Sequence, residues 1–108
     1  MIIYGLKSCD TCRKARKAFP DAAFQDVSEV PVPKEVLRQA ESAFGAQIVN
    51  TRSTTWRGIS DADRSLSPVK MIASHPKVMK RPLTVVDNQI FLGWSKGIED
   101  ELKALHQG

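Results

Sequence analysis

Apolar positions along the chain switch between short unbroken runs and helical spacing, and the switches mark out the elements. Met1-Ile2-Ile3-Tyr4 is a run without polar interruption and reads as a short buried strand. Lys7 to Cys9 is the loop behind it, and a helix from about Thr11 to Phe19 follows, stopped by Pro20-Asp21. Ala22 to Val27 gives a second strand. Pro33 is expected in the first turn of a helix that places Val36, Leu37, Ala40 and Phe44 on one face, with Gly45 as its stop. From Ala46 to Leu66 no period is evident; Asn50-Thr51-Arg52-Ser53-Thr54-Thr55-Trp56 is rich in cap-forming residues, and short helical turns are expected there. Ser67-Pro68 pairs an N-cap with proline at the first helical position, opening a helix through Val69, Ile72 and Ala73 that Pro76 must end. Leu83 to Val86 and Gln89 to Leu92 form a hairpin around Asp87-Asn88. Ser95 to Leu105 closes the chain as a helix with Ile98, Leu102 and Leu105 facing inward.

The order strand, helix, strand, helical middle, hairpin, helix predicts an α/β layer: a four-stranded mixed sheet flanked by helices, with a helical insert at about residues 31–75. With 108 residues, 42% of them apolar and 26% charged, one domain over 1–108 is expected, able to fill a core without disulfide staples. No apolar run reaches membrane-spanning length and the first residues lack a signal-peptide pattern, so a cytoplasmic location and no membrane partner are expected. Sixteen Lys and Arg against twelve Asp and Glu leave a net charge of +4. That sign favours an oxyanion, a glutathione carboxylate, a nucleic acid or an acidic protein surface. Because the basic residues are spread along the chain, a solvated surface is the default reading for most of them.

The chain's two cysteines, Cys9 and Cys12, lie three positions apart at the first strand-to-helix turn. In a reducing compartment a permanent disulfide is rare, and a close pair beside a β-α-β pattern reads as redox-active and thioredoxin-like. Cys9 at the helix start meets free backbone N–H groups and the positive end of the helix dipole, which makes it the nucleophile. Cys12, one turn further on, is within disulfide reach and would resolve the adduct. Lys7, Arg13 and Lys14 are expected to lower the Cys9 pKa, and Asp10 to oppose them. Beyond the cysteines only His75 and His106 could ligate a metal, so no metal site is expected; His75 is read as a helix-end residue bonding a free carbonyl. Arg81-Pro82, just ahead of the third strand, admits two readings. It is either an ordinary strand entry with a solvated arginine, or a cis proline shaping a groove beside the cysteine loop.

Cys9-Asp10-Thr11-Cys12-Arg13-Lys14-Ala15-Arg16, Asn50-Thr51-Arg52-Ser53, His75-Pro76 with Arg81-Pro82, and Leu92-Gly93 together resemble the arsenate reductase family of the glutaredoxin-coupled type. That family includes the Spx transcriptional regulators and a branch of short glutathione-dependent thiol reductases. The resemblance runs over nearly the whole chain and implies a thioredoxin-like fold with a helical insert. It implies that Cys9 attacks an oxyanion or a disulfide and that Arg52 and Arg81 neutralise the anion, while Thr11 donates a side-chain hydrogen bond or its backbone N–H. It further implies that Pro82 is the cis proline and that glutathione, as co-substrate, or glutaredoxin restores the thiol; no bound cofactor is implied.

Two departures stand in the sequence. Arsenate enzymes of this type carry Gly-Thr-Ser after the nucleophile where this chain has Asp10-Thr11-Cys12, and a third arginine expected after the last strand is replaced by Leu92-Gly93-Trp94-Ser95-Lys96. The cysteine pair and Thr51-Arg52-Ser53 resemble the Spx regulators, which implies an alternative: a redox sensor that binds RNA polymerase through a Cys9–Cys12 switch. Ending at Gly108, the chain is read as the shorter, thiol-reductase branch.

Overall fold

In a computed structural model that describes residues 1–107, the strands are β1 (Ile2–Gly5), β2 (Ala23–Asp26), β3 (Leu83–Val86) and β4 (Gln89–Leu92). They form one mixed sheet in the order β2-β1-β3-β4. β1 runs parallel to β2, with Ile3 opposite Phe24, and antiparallel to β3, with Ile3 opposite Thr84; β3 and β4 are the antiparallel hairpin. Asp87 at its tip has φ +52, a conformation that aspartate tolerates better than most side chains.

The helices are α1 (Asp10–Ala18), α2 (Lys34–Phe44), α3 (Thr54–Arg57), α4 (Asp61–Arg64), α5 (Pro68–Ser74) and α6 (Lys96–Gln107), with 3-10 turns at Gly45–Ile48 and Pro76–Val78. The result is the thioredoxin-like α/β arrangement, and the cap-rich middle resolves into α3 and α4, capped by Ser53 and Ser60. Ser67 caps α5 ahead of Pro68, and Gly45, at φ +62, ends α2. Pro33 is a correction: it is the N-cap of α2 rather than part of its first turn. Its carbonyl starts the helix, accepting from the N–H groups of Val36 and Leu37 at 3.0 and 3.1 Å.

Strand side chains alternate between the two faces of the sheet, and each face has its own core. Tyr4 and Leu83 pack with Leu37, Ile48, Met71 and Met79 against α2 and α5. Val86 and Phe91 pack with Phe19 at the end of α1 and Leu102 of α6. Phe19 meets Trp94 and His106 edge-on, and His106 also pairs with Asp21 at 3.0 Å, fastening α6 to the turn after α1.

The turn that carries Cys9 is fixed from β2. The Asp26 carboxylate accepts from the Lys7 N–H at 3.0 Å, from the Ser28 N–H at 2.8 Å and from the Ser28 hydroxyl. These bonds, the Ser28 hydroxyl foremost, hold its pKa down to about 2. A depressed folded-state pKa lends stability that is fully present above the ordinary value of 3.8 and is lost as the pH falls toward 2. Asp26→Asn is therefore expected to melt at a lower temperature than the parent near neutrality. The two melting temperatures should converge in acid, and a constant gap across the pH range would refute the assignment.

Candidate active site at the first helix

Cys9 is the N-cap of α1, in extended conformation at φ −82 and ψ 124, and its carbonyl accepts from the Arg13 N–H at 2.9 Å. Its side chain is half-buried and makes no regular capping hydrogen bond, yet the N–H groups of Thr11 and Cys12 face it. Burial works to raise the Cys9 pKa, but it is outweighed by the Cys12 N–H, the Cys12 thiol, the Arg81 guanidinium and the Thr11 N–H. The net direction is below the ordinary cysteine value.

Cys12 is fully buried, and both cysteines are free thiols. Burial first, with the Cys9 contact and charge adding to it, pushes the Cys12 thiol up to about 12, against the opposing pull of the Leu6 backbone and Arg81. The two sulfurs, one turn apart, are thus unequal: the half-exposed one has its thiolate favoured, and the buried one is held as thiol beneath it.

Gly5 makes room for that buried thiol. A Cβ added at Gly5 would overlap Cys12 Sγ and lie 3.2 Å from Cys12 Cβ. Nothing in the local sequence pattern singles out this glycine, because its partner lies on the helix packed above it.

The Arg81–Pro82 peptide is cis. Arg81 is half-buried, donates to the Lys77 carbonyl at 3.1 Å and sends its positive field to both cysteines. Arg52 lies on an exposed turn: its N–H donates to Asn50 Oδ1 at 3.0 Å, and its guanidinium has no hydrogen-bond or ion-pair partner among the described residues. A small ladder joins that turn to the approach to Arg81. Val49 bridges Met79, the Asn50 N–H donates to the Val78 carbonyl at 2.8 Å, and the Lys80 N–H to the Ile48 carbonyl at 2.7 Å. This pairing of two segments thirty residues apart is invisible to any sequence window.

The charges expected near Cys9 are rearranged. Lys7 pairs with Glu29 at 2.9 Å, and Arg13 with Asp10 at 3.5 Å, so the cation among the groups governing Cys9 is Arg81. Asp10 is almost fully exposed and leans toward Arg13. Lys96, standing where a third arginine would be, is engaged with Asp100 at 3.2 Å. His75 is the C-cap of α5, as expected of a helix-end residue, and its backbone N–H donates to the Met71 carbonyl at 2.8 Å; its side chain is the correction, with Nε2 meeting the Asp63 carboxylate at 3.0 Å instead of a carbonyl.

Because Arg81 favours the charged form of Cys9, Arg81→Gln is expected to shift the pH-rate profile of Cys9 alkylation upward. The rate at neutral pH should fall about three- to tenfold, in proportion to the thiolate lost. An unchanged profile would remove Arg81 from the site.

The ArsC family model matches residues 4–101 of the chain. A Haemophilus influenzae protein of uncharacterised function is 31% identical over 103 residues, covering 87% of this chain and 90% of its own. The global transcriptional regulator Spx 1 of Bacillus cereus is 28% identical over 112 residues, covering 94% of this chain and 82% of its own. Among solved structures, the YffB protein superposes with a TM-score of 0.82 at 26% identity, over 96% of each chain. A possible arsenate reductase from Streptococcus mutans gives 0.74 at 26% identity, over 93% of this chain and 95% of its own. By its family match and its fold, this chain belongs to the ArsC family.

Proposed function

We propose that the protein is a cytoplasmic thiol-dependent oxidoreductase in which Cys9 attacks and Cys12 resolves. The observation that carries the reading is the inequality of the two thiols, a lowered pKa on the half-exposed Cys9 and a value near 12 on the buried Cys12.

With glutathione disulfide, the Cys9 thiolate attacks one sulfur, forming a Cys9–glutathione disulfide and releasing one glutathione thiolate. Cys12 then attacks Cys9 Sγ, its proton passing to the departing second glutathione, and a Cys9–Cys12 disulfide is left. The dithiol of glutaredoxin supplies the two electrons that reopen it; two glutathione thiols serve the same end when the substrate is a disulfide other than glutathione disulfide, such as hydroxyethyl disulfide. An oxyanion such as arsenate would instead be attacked at its central atom with loss of water, Arg52 and Arg81 neutralising its charge. A glutathione thiolate would then attack Cys9 Sγ of the adduct, forming a Cys9–glutathione disulfide while the sulfur–arsenic electron pair leaves with arsenic, now trivalent; a second glutathione or glutaredoxin thiol would free Cys9 from that disulfide. In either case Thr11 contributes its N–H at the helix start, and Pro82 borders the groove.

The test is NADPH consumption with glutathione, glutaredoxin and glutathione reductase, run with hydroxyethyl disulfide or with arsenate, and with Cys9→Ser as blank. Cys9-dependent turnover of either substrate supports the reading and selects the substrate class. Turnover equal in Cys9→Ser, or absent with both, would overturn it.

A second reading is supported by the Spx relatives: a redox-switched regulator in which the same disulfide alters a surface presented to RNA polymerase. Co-purification with the polymerase in only one redox state, without turnover, would decide for it.

A further inference from the structure

Four of the sixteen basic residues stand together on α1, and Lys103 of α6 borders the same surface. α1 presents Arg13, Lys14, Arg16 and Lys17 on its exposed surface, and Lys14, Arg16 and Lys17 have no carboxylate partner among the described residues. Two cavities flank this surface, and Lys17 borders both. One, of about 360 Å³, lies toward β2 and has Phe19, Pro20 and Phe24 in its walls. The other, of about 330 Å³, lies toward α6 and is lined by Ala18 and Trp94, with Lys14 and Lys103 at its edge. The Arg16 guanidinium lies 4.4 Å above the Phe24 ring, which holds it extended over the first cavity while its N–H edges stay available.

We infer that the outer face of α1 docks an acidic segment of the protein that exchanges thiols with Cys9, carboxylates meeting Arg16 and Lys17 and apolar side chains entering the flanking cavities. What the partner does there rests on the thiol-exchange reading above; the binding itself does not. The helix sets the spacing: Arg16 and Lys17 stand seven and eight positions beyond Cys9, about 11 Å along the axis, so the partner's acidic residues lie about that far from its reactive sulfur. The chemistry fits a protein better than a nucleic acid. The cations Arg13 to Lys17 span little more than one helical turn, Asp10 and Glu99 sit on their flanks, and the rings of Phe24 and Trp94 border the two cavities, whereas a nucleic-acid backbone wants a longer basic track without interspersed carboxylates.

Isotope-labelled protein titrated with a synthetic peptide of Glu pairs alternating with Phe tests the proposal by NMR. The expected shifts fall on α1, Phe24 and Trp94 and fade at high salt. Arg16→Glu/Lys17→Glu should weaken the peptide by about tenfold or more, while the Cys9 reaction with neutral hydroxyethyl disulfide stays within about twofold because neither residue touches the sulfur. If that double variant loses its folded spectrum, Arg16→Gln/Lys17→Gln provides the same comparison with a smaller drop. Equal peptide binding by the folded variant, shifts centred elsewhere, no peptide binding, or tighter binding of a DNA duplex at the same salt would each overturn the inference. Should hydroxyethyl disulfide fail to react even with the parent protein, the thiol-exchange reading falls while the titration still decides the docking face.

Discussion

Cys9→Ser should lose exchange with glutathione disulfide by on the order of 10³-fold or more, whereas Cys12→Ser should keep the attack and stop after it. The asymmetry follows from the site. Cys9 is half-exposed at the start of α1, with two backbone N–H groups and the Arg81 field favouring its thiolate. Cys12 has no exposed surface and stays protonated to about 12, so it cannot make the first attack on a bulky disulfide. It can act once Cys9 carries a leaving group, because only a neighbour one turn away need be reached. Mass spectrometry after brief exposure to glutathione disulfide should therefore find an intramolecular disulfide in the parent. Cys12→Ser should carry one stable glutathione adduct, and Cys9→Ser should be unmodified. An adduct on Cys12 in the Cys9→Ser protein would reverse the assignment.

The second large effect joins the fold to the site. Gly5→Ala puts a methyl group where Cys12 Sγ lies, and the next nearest atoms are Cys12 Cβ at 3.2 Å and Phe24 Cε1 at 3.5 Å. Overpacking of this kind costs about 1–3 kcal/mol, which for a domain of this size lowers the melting temperature by about 4–8 °C per kcal/mol. Gly97→Ala is the contrasting change. Near the start of α6 the nearest atom to its new Cβ is Ser95 Oγ at 3.9 Å, so helix propensity should leave that variant as stable as the parent or more so. The attribution to sulfur has its own check. If Gly5→Ala clashes with Cys12 Sγ, the cost shrinks in a Cys12→Ala background, and additive losses in the double-mutant cycle would show the clash to lie elsewhere.

Most of the elements were legible because their signals are local. Ser67-Pro68, Gly45 and Pro20 punctuate helices by their own backbone chemistry, and the alternation in Leu83 to Leu92 with Asp87-Asn88 between encodes its own hairpin. Pro33 was placed one position too far into its helix because an N-cap and a first-turn proline carry the same residue and differ only in ψ. Cys9 stood out through its place at a strand-to-helix turn. What escaped the sequence depends on contacts across the chain. The space at Gly5 exists only because α1 packs over β1, and the turn of Arg52 meets the approach to Arg81 only through the Val49–Met79 bridge. His75 found Asp63, and His106 found Asp21, eighty-five positions away. The gathering of cations on α1 was half visible in Arg13-Lys14-Ala15-Arg16-Lys17, but the cavities on either side of it were not.

The most direct test of the central claim is a pH titration of thiolate absorbance in the parent protein and in Cys9→Ser. One thiolate should appear below the ordinary cysteine pKa and vanish in Cys9→Ser, with the second emerging only near pH 12. Two thiols titrating together at the ordinary value, or an early thiolate that survives in Cys9→Ser, would contradict it.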